Sequence, residues 1–109
     1  MNQAIKQIQT SDEAYLYAYR NRNLSEEEIV YLENTIANCK RGDKHIWADR
    51  FITRIIKRAS PILEDSLLND PEIAHKYCEK FEVTNLSKFV NAVSRDSTYA
   101  YYFAFAHHY

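Results

Sequence analysis

Seven basic side chains crowd the segment between residues 40 and 58, where only two acidic residues lie among them. They are Lys40, Arg41, Lys44, Arg50, Arg54, Lys57 and Arg58. The last four follow one another at i, i+4, i+7 and i+8, and an α-helix places these spacings on one face. A basic helix face can bind nucleic-acid phosphates or an acidic protein surface. It can also be a solvated face that pairs with Asp49, Glu64 or Asp65, and charge runs more often do this.

Two other features offer chemistry beside this basic segment. Trp47 could stack on a nucleic-acid base, but its place in an apolar stripe favours the core. Four glutamates of the second predicted helix could imitate nucleic-acid phosphates towards a basic protein. They are Glu26, Glu27, Glu28 and Glu33. Capping of the helix N-terminus already accounts for two of them, so capping is the favoured interpretation.

The stretch from Ser97 to Tyr109 predicts a last helix, capped by Asp96, with aromatic side chains on almost every side. A helix that is apolar all round is either central or at an interface. The last element of a small repeat array is expected to have a polar outer face instead. We therefore expect either burial within the monomer or contact with a second chain. The residues of that predicted interface are Tyr101, Tyr102, Phe105 and Tyr109.

The sequence predicts no catalytic residues, no metal site and no cofactor. Adjacent side chains on a helix point about 100° apart, so His107 and His108 cannot easily share a metal ion. Glu64 and Asp65 are also neighbours, and we expect both to be solvated on a helix surface. The chain has one glycine, so it cannot build a glycine-rich phosphate loop, and the common catalytic motifs do not occur.

Bulk composition predicts one helical domain spanning residues 1–109, in which residues 1–9 form either a helical turn or a frayed end. The chain has 109 residues, 46% of them apolar, with one glycine and two prolines. So few turn-forming residues argue against a many-stranded β fold. The net charge is −1, which excludes a general electrostatic attraction to nucleic acid or membrane. No apolar run of membrane-spanning length and no signal sequence occurs, so we expect a cytoplasmic protein with both cysteines free.

Start signals divide the chain into six or seven short helices, which predicts an all-α fold. Ser25 and Glu28 fit a capping box, as do Thr10 and Glu13. Asp43 is a predicted N-cap. Proline at a first helical position, after Ser60 and again after Asp70, predicts two further starts.

The helix openings repeat along the chain. Each has alanine, then an aromatic residue three positions on, then a small or apolar residue. They are Ala14-x-x-Tyr17-Ala18, Ala48-x-x-Phe51-Ile52, Ala74-x-x-Tyr77-Cys78 and Ala100-x-x-Phe103-Ala104. A small residue lets two helix backbones approach, and the aromatic ring fills the space beside it. The pattern predicts repeated helical hairpins, stacked as a small bundle or a short α-solenoid.

The segment from Lys57 to Cys78 also resembles short degenerate helical repeats of uncharacterised phage and bacterial proteins. The matching residues are Lys57-Arg58, Pro61, Asp70-Pro71-Glu72, Ala74 and Tyr77. The other openings depart from that pattern because they lack the proline. The resemblance implies an array of helical hairpins in a phage-borne protein, and it identifies no catalytic residue.

These observations favour a non-catalytic protein-binding module that has a protein partner and does not bind membranes. The resemblance implies a more specific function, namely a phage-encoded inhibitor of a host defence or regulatory protein that acts in the host cytoplasm. The alternative is a nucleic-acid-binding protein that uses the basic segment of residues 40–58.

Overall fold

A computed structural model describes residues 3–101, and every regular element in this range is helical. The α-helices are α1 (Gln3–Lys6), α2 (Ser11–Arg20), α3 (Glu26–Asn38), α4 (Lys44–Arg50), α5 (Pro71–Lys80) and α6 (Leu86–Val93). Helix α4 runs directly into a π-helix, Phe51–Ile56, and a 3-10 helix spans Glu64–Leu67. Residues 97–101 begin one more helix. The all-α prediction is confirmed.

The helices pack as successive hairpins, which together form a small helical bundle. Helix α2 packs against α3, α4 packs against the 3-10 helix, and α5 packs against α6. The first two hairpins also lie side by side, because α2 contacts α4 and α3 contacts the 3-10 helix. Within residues 3–101, no helix combines the length and the apolar content that crossing a bilayer would require.

Side-chain caps start three of these helices, and two of the caps, Ser25 and Asp70, lie where the sequence predicts a helix start. Ser25 Oγ accepts from the Glu28 amide at 3.2 Å, and Glu28 Oε1 accepts from the Ser25 amide at 3.0 Å. Asp70 Oδ1 accepts from the first free amides of α5, at 2.9 and 3.1 Å. Asn85 caps α6 in the same way. These bonds satisfy amide groups that have no partner inside the helix.

Three predicted helix starts differ in their details. Thr10 donates its hydroxyl to Glu13 Oε1 at 2.6 Å and forms no side-chain cap. Asp43 also forms no cap, because its Oδ2 accepts from Trp47 Nε1 at 3.1 Å. A half-buried indole N–H needs such an acceptor. The segment after Pro61 forms turns and then a 3-10 helix, not an α-helix.

The repeated openings supply part of the core of the described residues. Ala14, Ala48 and Ala74 are completely buried. The aromatic positions Phe51 and Tyr77 are buried as well, whereas the first repeat buries the neighbouring Tyr15. The fourth opening extends beyond the described residues. Small side chains at the crossing points allow the close hairpin packing that the repeat predicts.

The segment that carries the basic residues ends in an unusual way. In the π-helix each amide bonds to a carbonyl five residues earlier, and the last such bond joins the Lys57 amide to the Ile52 carbonyl at 2.8 Å. Lys57 then adopts a left-handed backbone conformation, with φ 54° and ψ 35°. Continuous α-helical geometry therefore stops at Arg50, and the helix ends at Ile56.

Candidate protein-interaction surface

Three of the seven basic residues form ion pairs or hydrogen bonds to the backbone within residues 3–101. Arg41 lies 3.0 Å from Asp12 Oδ1 and 3.5 Å from Asp43 Oδ2. Arg58 donates two hydrogen bonds to the Glu26 carboxylate, at 3.0 and 2.6 Å. Lys44 Nζ donates to the Ala37 carbonyl at 3.2 Å. These side chains tie neighbouring elements together.

The prediction that Arg50, Arg54, Lys57 and Arg58 share one helix face is wrong. Lys57 and Arg58 lie beyond the helix, which ends at Ile56. The wider π-helical turn also changes the angle between Arg50 and Arg54, because i→i+5 bonding needs more residues per turn than an α-helix. Lys40, which follows α3, is exposed and lies outside this helix altogether.

Two of these residues instead belong to a cluster of arginines and aromatic rings. The Arg50 guanidinium carbon lies 4.9 Å from the centre of the Trp47 ring. The Arg22 guanidinium carbon lies equally close, at 4.9 Å, to the Tyr19 ring. Arg54 Nη1 donates to the hydroxyl of the buried Tyr15 at 3.3 Å. We call Tyr19, Arg22, Trp47, Arg50 and Arg54 the aromatic–arginine surface.

The packing of α2 on α4 brings these residues together. Tyr15 and Tyr19 are one turn apart on α2, and their ring centroids are 6.1 Å apart. The Tyr15 ring lies 5.7 Å from that of Trp47 on α4, so it joins the two halves of the cluster. Arg22 Nη1 donates to the Arg54 carbonyl at 3.3 Å, which satisfies a carbonyl near the C-terminal end of the π-helix.

Sequence reasoning found only part of this surface. It selected Arg50 and Arg54, and it considered Trp47. Trp47 is half-buried against the core, as expected, but its ring also supports Arg50. Arg22 was missed. Its spacing of three residues from Tyr19 is the one local signal that could have revealed it.

The aromatic–arginine surface carries positive charge. Within residues 3–101, the ion pairs of arginine involve Arg41 and Arg58, and none involves the three arginines of this surface. The nearby acid is Asp49, whose pKa is raised by burial even though Lys76, Lys80, Arg54 and Arg50 act to lower it. The hydrogen bond to Tyr15 raises the pKa of Arg54. No carboxylate of residues 3–101 pairs with these three guanidinium groups, so they are available to an external anion.

The glutamates of α3 do not form a continuous acidic face. Glu26 pairs with Arg58, whose hydrogen bond lowers the pKa of that carboxyl group. Glu28 closes the capping box. Glu33 is only 5% exposed, and burial raises its pKa although Ser60 donates a hydrogen bond to it. Mimicry of phosphates by all four side chains is therefore not supported by their positions.

A buried polar network lies where the hairpins meet, and it shows that the expected solvation of Glu64 is wrong. Glu64 is only 3% exposed. Its carboxylate accepts from the Tyr77 hydroxyl at 2.8 Å and from the Thr84 amide and hydroxyl at 3.0 and 2.7 Å. The Tyr77 hydroxyl in turn accepts from the Ser60 amide at 3.1 Å. Its partners are other protein groups, so we assign this network to stability.

The two cysteines have similar burial but different electrostatic surroundings. Both are buried and free. Burial acts to raise the pKa of Cys39, but the amides of Arg41 and Ser11 and the charge of Arg41 lower it below its ordinary value. Burial and the charge of Glu64 raise the pKa of Cys78 to about 12. In residues 3–101, no cluster of histidine, cysteine and carboxylate side chains is arranged to hold a metal ion.

We expect Cys39 to react several-fold faster than Cys78 with iodoacetamide at pH 8, because the thiolate is the nucleophile. Both residues are 7% exposed, so they form a matched pair. Mass spectrometry of peptides from briefly alkylated native protein would measure the ratio. Equal rates at the two sites would contradict the electrostatic difference, and alkylation in urea provides the control.

The predicted C-terminal interface lies mostly outside the described residues. Tyr101 is the last described residue, and it is 69% exposed. Tyr102, Phe105 and Tyr109 fall beyond it, so self-association through this helix stays a prediction. Comparison of the chain with protein-family models, with curated proteins and with solved structures finds no match.

Proposed function

We propose that this chain is a non-catalytic protein-binding module whose aromatic–arginine surface docks an acidic face of a partner protein. One observation carries the proposal. Three arginines lie against aromatic rings or their hydroxyl, and none of them forms an ion pair with a carboxylate of residues 3–101. Tryptophan, tyrosine and arginine are the residues that dominate binding energy at protein interfaces. Rings that hold the guanidinium groups in place also reduce the entropy lost on binding.

The exposed apolar residues around this surface support the same function. Tyr19 is 53% exposed. Leu16, three residues earlier on α2, is exposed as well. Apolar side chains beside charged, ring-supported arginines are typical of protein interfaces, where an apolar centre is surrounded by polar contacts.

Nucleic-acid binding is the second candidate, because bases can stack on tyrosine, tryptophan and arginine. Non-specific binding to a phosphate backbone needs several free cations along a track. Arg41, Lys44 and Arg58 are held by groups of the chain itself. Apart from Lys40, the unpaired charges of the basic segment therefore lie in a short patch, which fits an acidic protein segment better than a long phosphate backbone.

The test is selection of a random peptide library on the immobilised protein, followed by affinity measurement for the enriched peptides. We expect acidic peptides, and we expect Arg50→Gln combined with Arg54→Gln to weaken their binding about tenfold, the usual size of a hot-spot effect. Arg20→Gln is the matched control, because Arg20 is an exposed arginine of α2 whose charge lies outside the cluster.

Two results would count against the proposal. One is the absence of any enriched peptide whose binding depends on Arg50 and Arg54. The other is steeply salt-dependent binding of single-stranded DNA or RNA that those substitutions abolish, which would favour the second candidate.

Two finer proposals rest on the sequence. The resemblance to phage and bacterial repeats supports an inhibitor of a host defence or regulatory protein, encoded by a phage and acting in the host cytoplasm. A neighbouring anti-defence locus in the source genome would favour it. The aromatic residues 101–109 support self-association. Sedimentation velocity should then show an oligomer that truncation after Ala100 converts to a monomer, and a full-length monomer at high concentration would contradict this.

A further inference from the structure

Lys57 occupies a backbone conformation that costs free energy. It is the one non-glycine residue with positive φ within residues 3–101. Helix ends of this left-handed type usually carry glycine or asparagine, because a side-chain Cβ is strained there. Residues held in such conformations cluster at functional sites, and π-helical turns do so too. We therefore ask what function a lysine at this strained position could serve that glycine could not.

No structural contact of the lysine side chain supplies that reason. Lys57 is exposed, and its ammonium forms no hydrogen bond or ion pair within residues 3–101. Cations do favour the C-terminal end of a helix, but Arg22 already donates to the Arg54 carbonyl there at 3.3 Å. The adjacent Arg58 is neutralised by Glu26. Lys57 thus adds a positive charge that no carboxylate of residues 3–101 neutralises, three residues after Arg54 in the chain.

We propose that Lys57, together with Arg22 and Arg54, forms a carboxylate-binding site for acidic peptide segments at the C-terminal end of the π-helix. This inference rests on the proposed function and gives its partner a chemistry. Arg22 reaches the Arg54 carbonyl at 3.3 Å, and Lys57 follows Arg54 by three residues, so three exposed cations belong to this helix end. Glu26 is already occupied by Arg58. A segment with consecutive aspartate or glutamate residues offers several carboxylates within a short length of chain, and each can pair with one of these cations. The left-handed backbone at residue 57 sets the direction in which the lysine leaves the helix end.

The test separates stability from binding. The probe is a fluorescein-labelled peptide of ten glutamates, with affinity measured by fluorescence anisotropy at low salt, and stability is measured by urea unfolding. We expect Lys57→Gly to raise the urea midpoint, because strain is relieved, and to weaken peptide binding about fivefold. Lys57→Arg should keep the affinity. Lys40→Gly is the matched control, since it removes an exposed lysine charge elsewhere, and it should leave the affinity within twofold of wild type.

Each alternative outcome overturns the inference in a recognisable way. If Lys57→Gly is more stable and binds equally well, Lys57 is only a helix end, while loss of affinity in the Arg50 and Arg54 variants would still support the proposed function. If Lys57→Gly is less stable, the strain argument is wrong. If the wild-type protein binds a twelve-nucleotide single strand but no glutamate peptide, the ligand is nucleic acid and the proposed function fails too.

Discussion

Tyr77→Phe is expected to destabilise the fold by about 2–4 kcal/mol, because it removes a hydrogen bond from each of two buried polar atoms, the Ser60 amide nitrogen and Glu64 Oε2. The Tyr77 hydroxyl accepts from the Ser60 amide at 3.1 Å and donates to Glu64 Oε2 at 2.8 Å. The phenylalanine ring would keep the stacking of residue 77 on Phe89, whose centroid is 5.6 Å away. The loss would therefore report the hydroxyl alone. Burial, aided by the bond to Glu64, raises the pKa of Tyr77, so the hydroxyl stays protonated and donating at neutral pH.

Urea unfolding at neutral pH measures this effect as a lower midpoint at unchanged slope. Tyr31→Phe is the matched control, because Tyr31 is only half-buried and its hydroxyl has no hydrogen-bond partner within residues 3–101. Its stability should stay within about 0.5 kcal/mol of wild type. A Tyr77→Phe variant equally close to wild type would show that the network adds no net stability, and that water readily replaces the hydroxyl.

The local elements were predictable because their signals are local. Ser25 and Asp70 cap their helices with bonds to amides two or three residues away, and such bonds depend on the nearest sequence only. The alanine and aromatic spacing predicted the packing positions Ala14, Ala48 and Ala74, since helical periodicity alone decides which residues share a face.

The end of the long central helix was not predictable in this way. The apolar residues Phe51, Ile52, Ile55 and Ile56 lie on one side of an α-helix and also on one side of a π-helix. Their spacing therefore does not distinguish the two kinds of helix. Glycine usually marks a left-handed helix end, but here the residue is Lys57. The error in placing Lys57 and Arg58 on the helix face follows from this missing mark.

The buried network and half of the aromatic–arginine surface depend on distant partners. Glu64 bonds to residues 13 and 20 positions later in the chain, and carboxylates are rarely buried, so solvation was the natural expectation. Arg54 similarly meets Tyr15 across 39 positions. Arg50 and Arg54 could be chosen from charge alone, but their aromatic neighbours on α2 depend on how α2 packs on α4.

Glu33→Gln is expected to stabilise the protein at pH 7 by an amount on the order of 1 kcal/mol, the scale of relieving one poorly compensated buried charge. Burial raises the pKa of Glu33 above its ordinary 4.5, and the hydrogen bond from Ser60 only partly opposes this. The facing charges are Arg58, which favours ionisation, and Glu26, which opposes it. Because Arg58 is already paired with Glu26, Glu33 gains little from it. Glutamine keeps an oxygen that can accept from Ser60.

The raised pKa of Glu33 makes its contribution to the free energy of unfolding depend on pH. Between the ordinary pKa of 4.5 that applies to the unfolded chain and the raised folded pKa, the native state binds more protons than the unfolded state. The contribution of Glu33 to stability therefore falls as the pH rises through this window. Urea unfolding at a series of pH values from 4 to 8 should show the gain from Glu33→Gln shrinking towards pH 4.

Asp49→Asn provides the comparison for this pH series, because burial also raises the pKa of Asp49. Asp49 lies beside four cations on another part of the surface, so its substitution should leave the Glu33 contribution in place. A gain from Glu33→Gln that stayed constant from pH 4 to 8 would mean that the folded and unfolded pKa values of Glu33 are equal. A loss of stability at pH 7 would mean that the ionised carboxylate holds Ser60 more strongly than its burial costs, and that this buried acid stabilises the contact between α3 and the turn at residue 60.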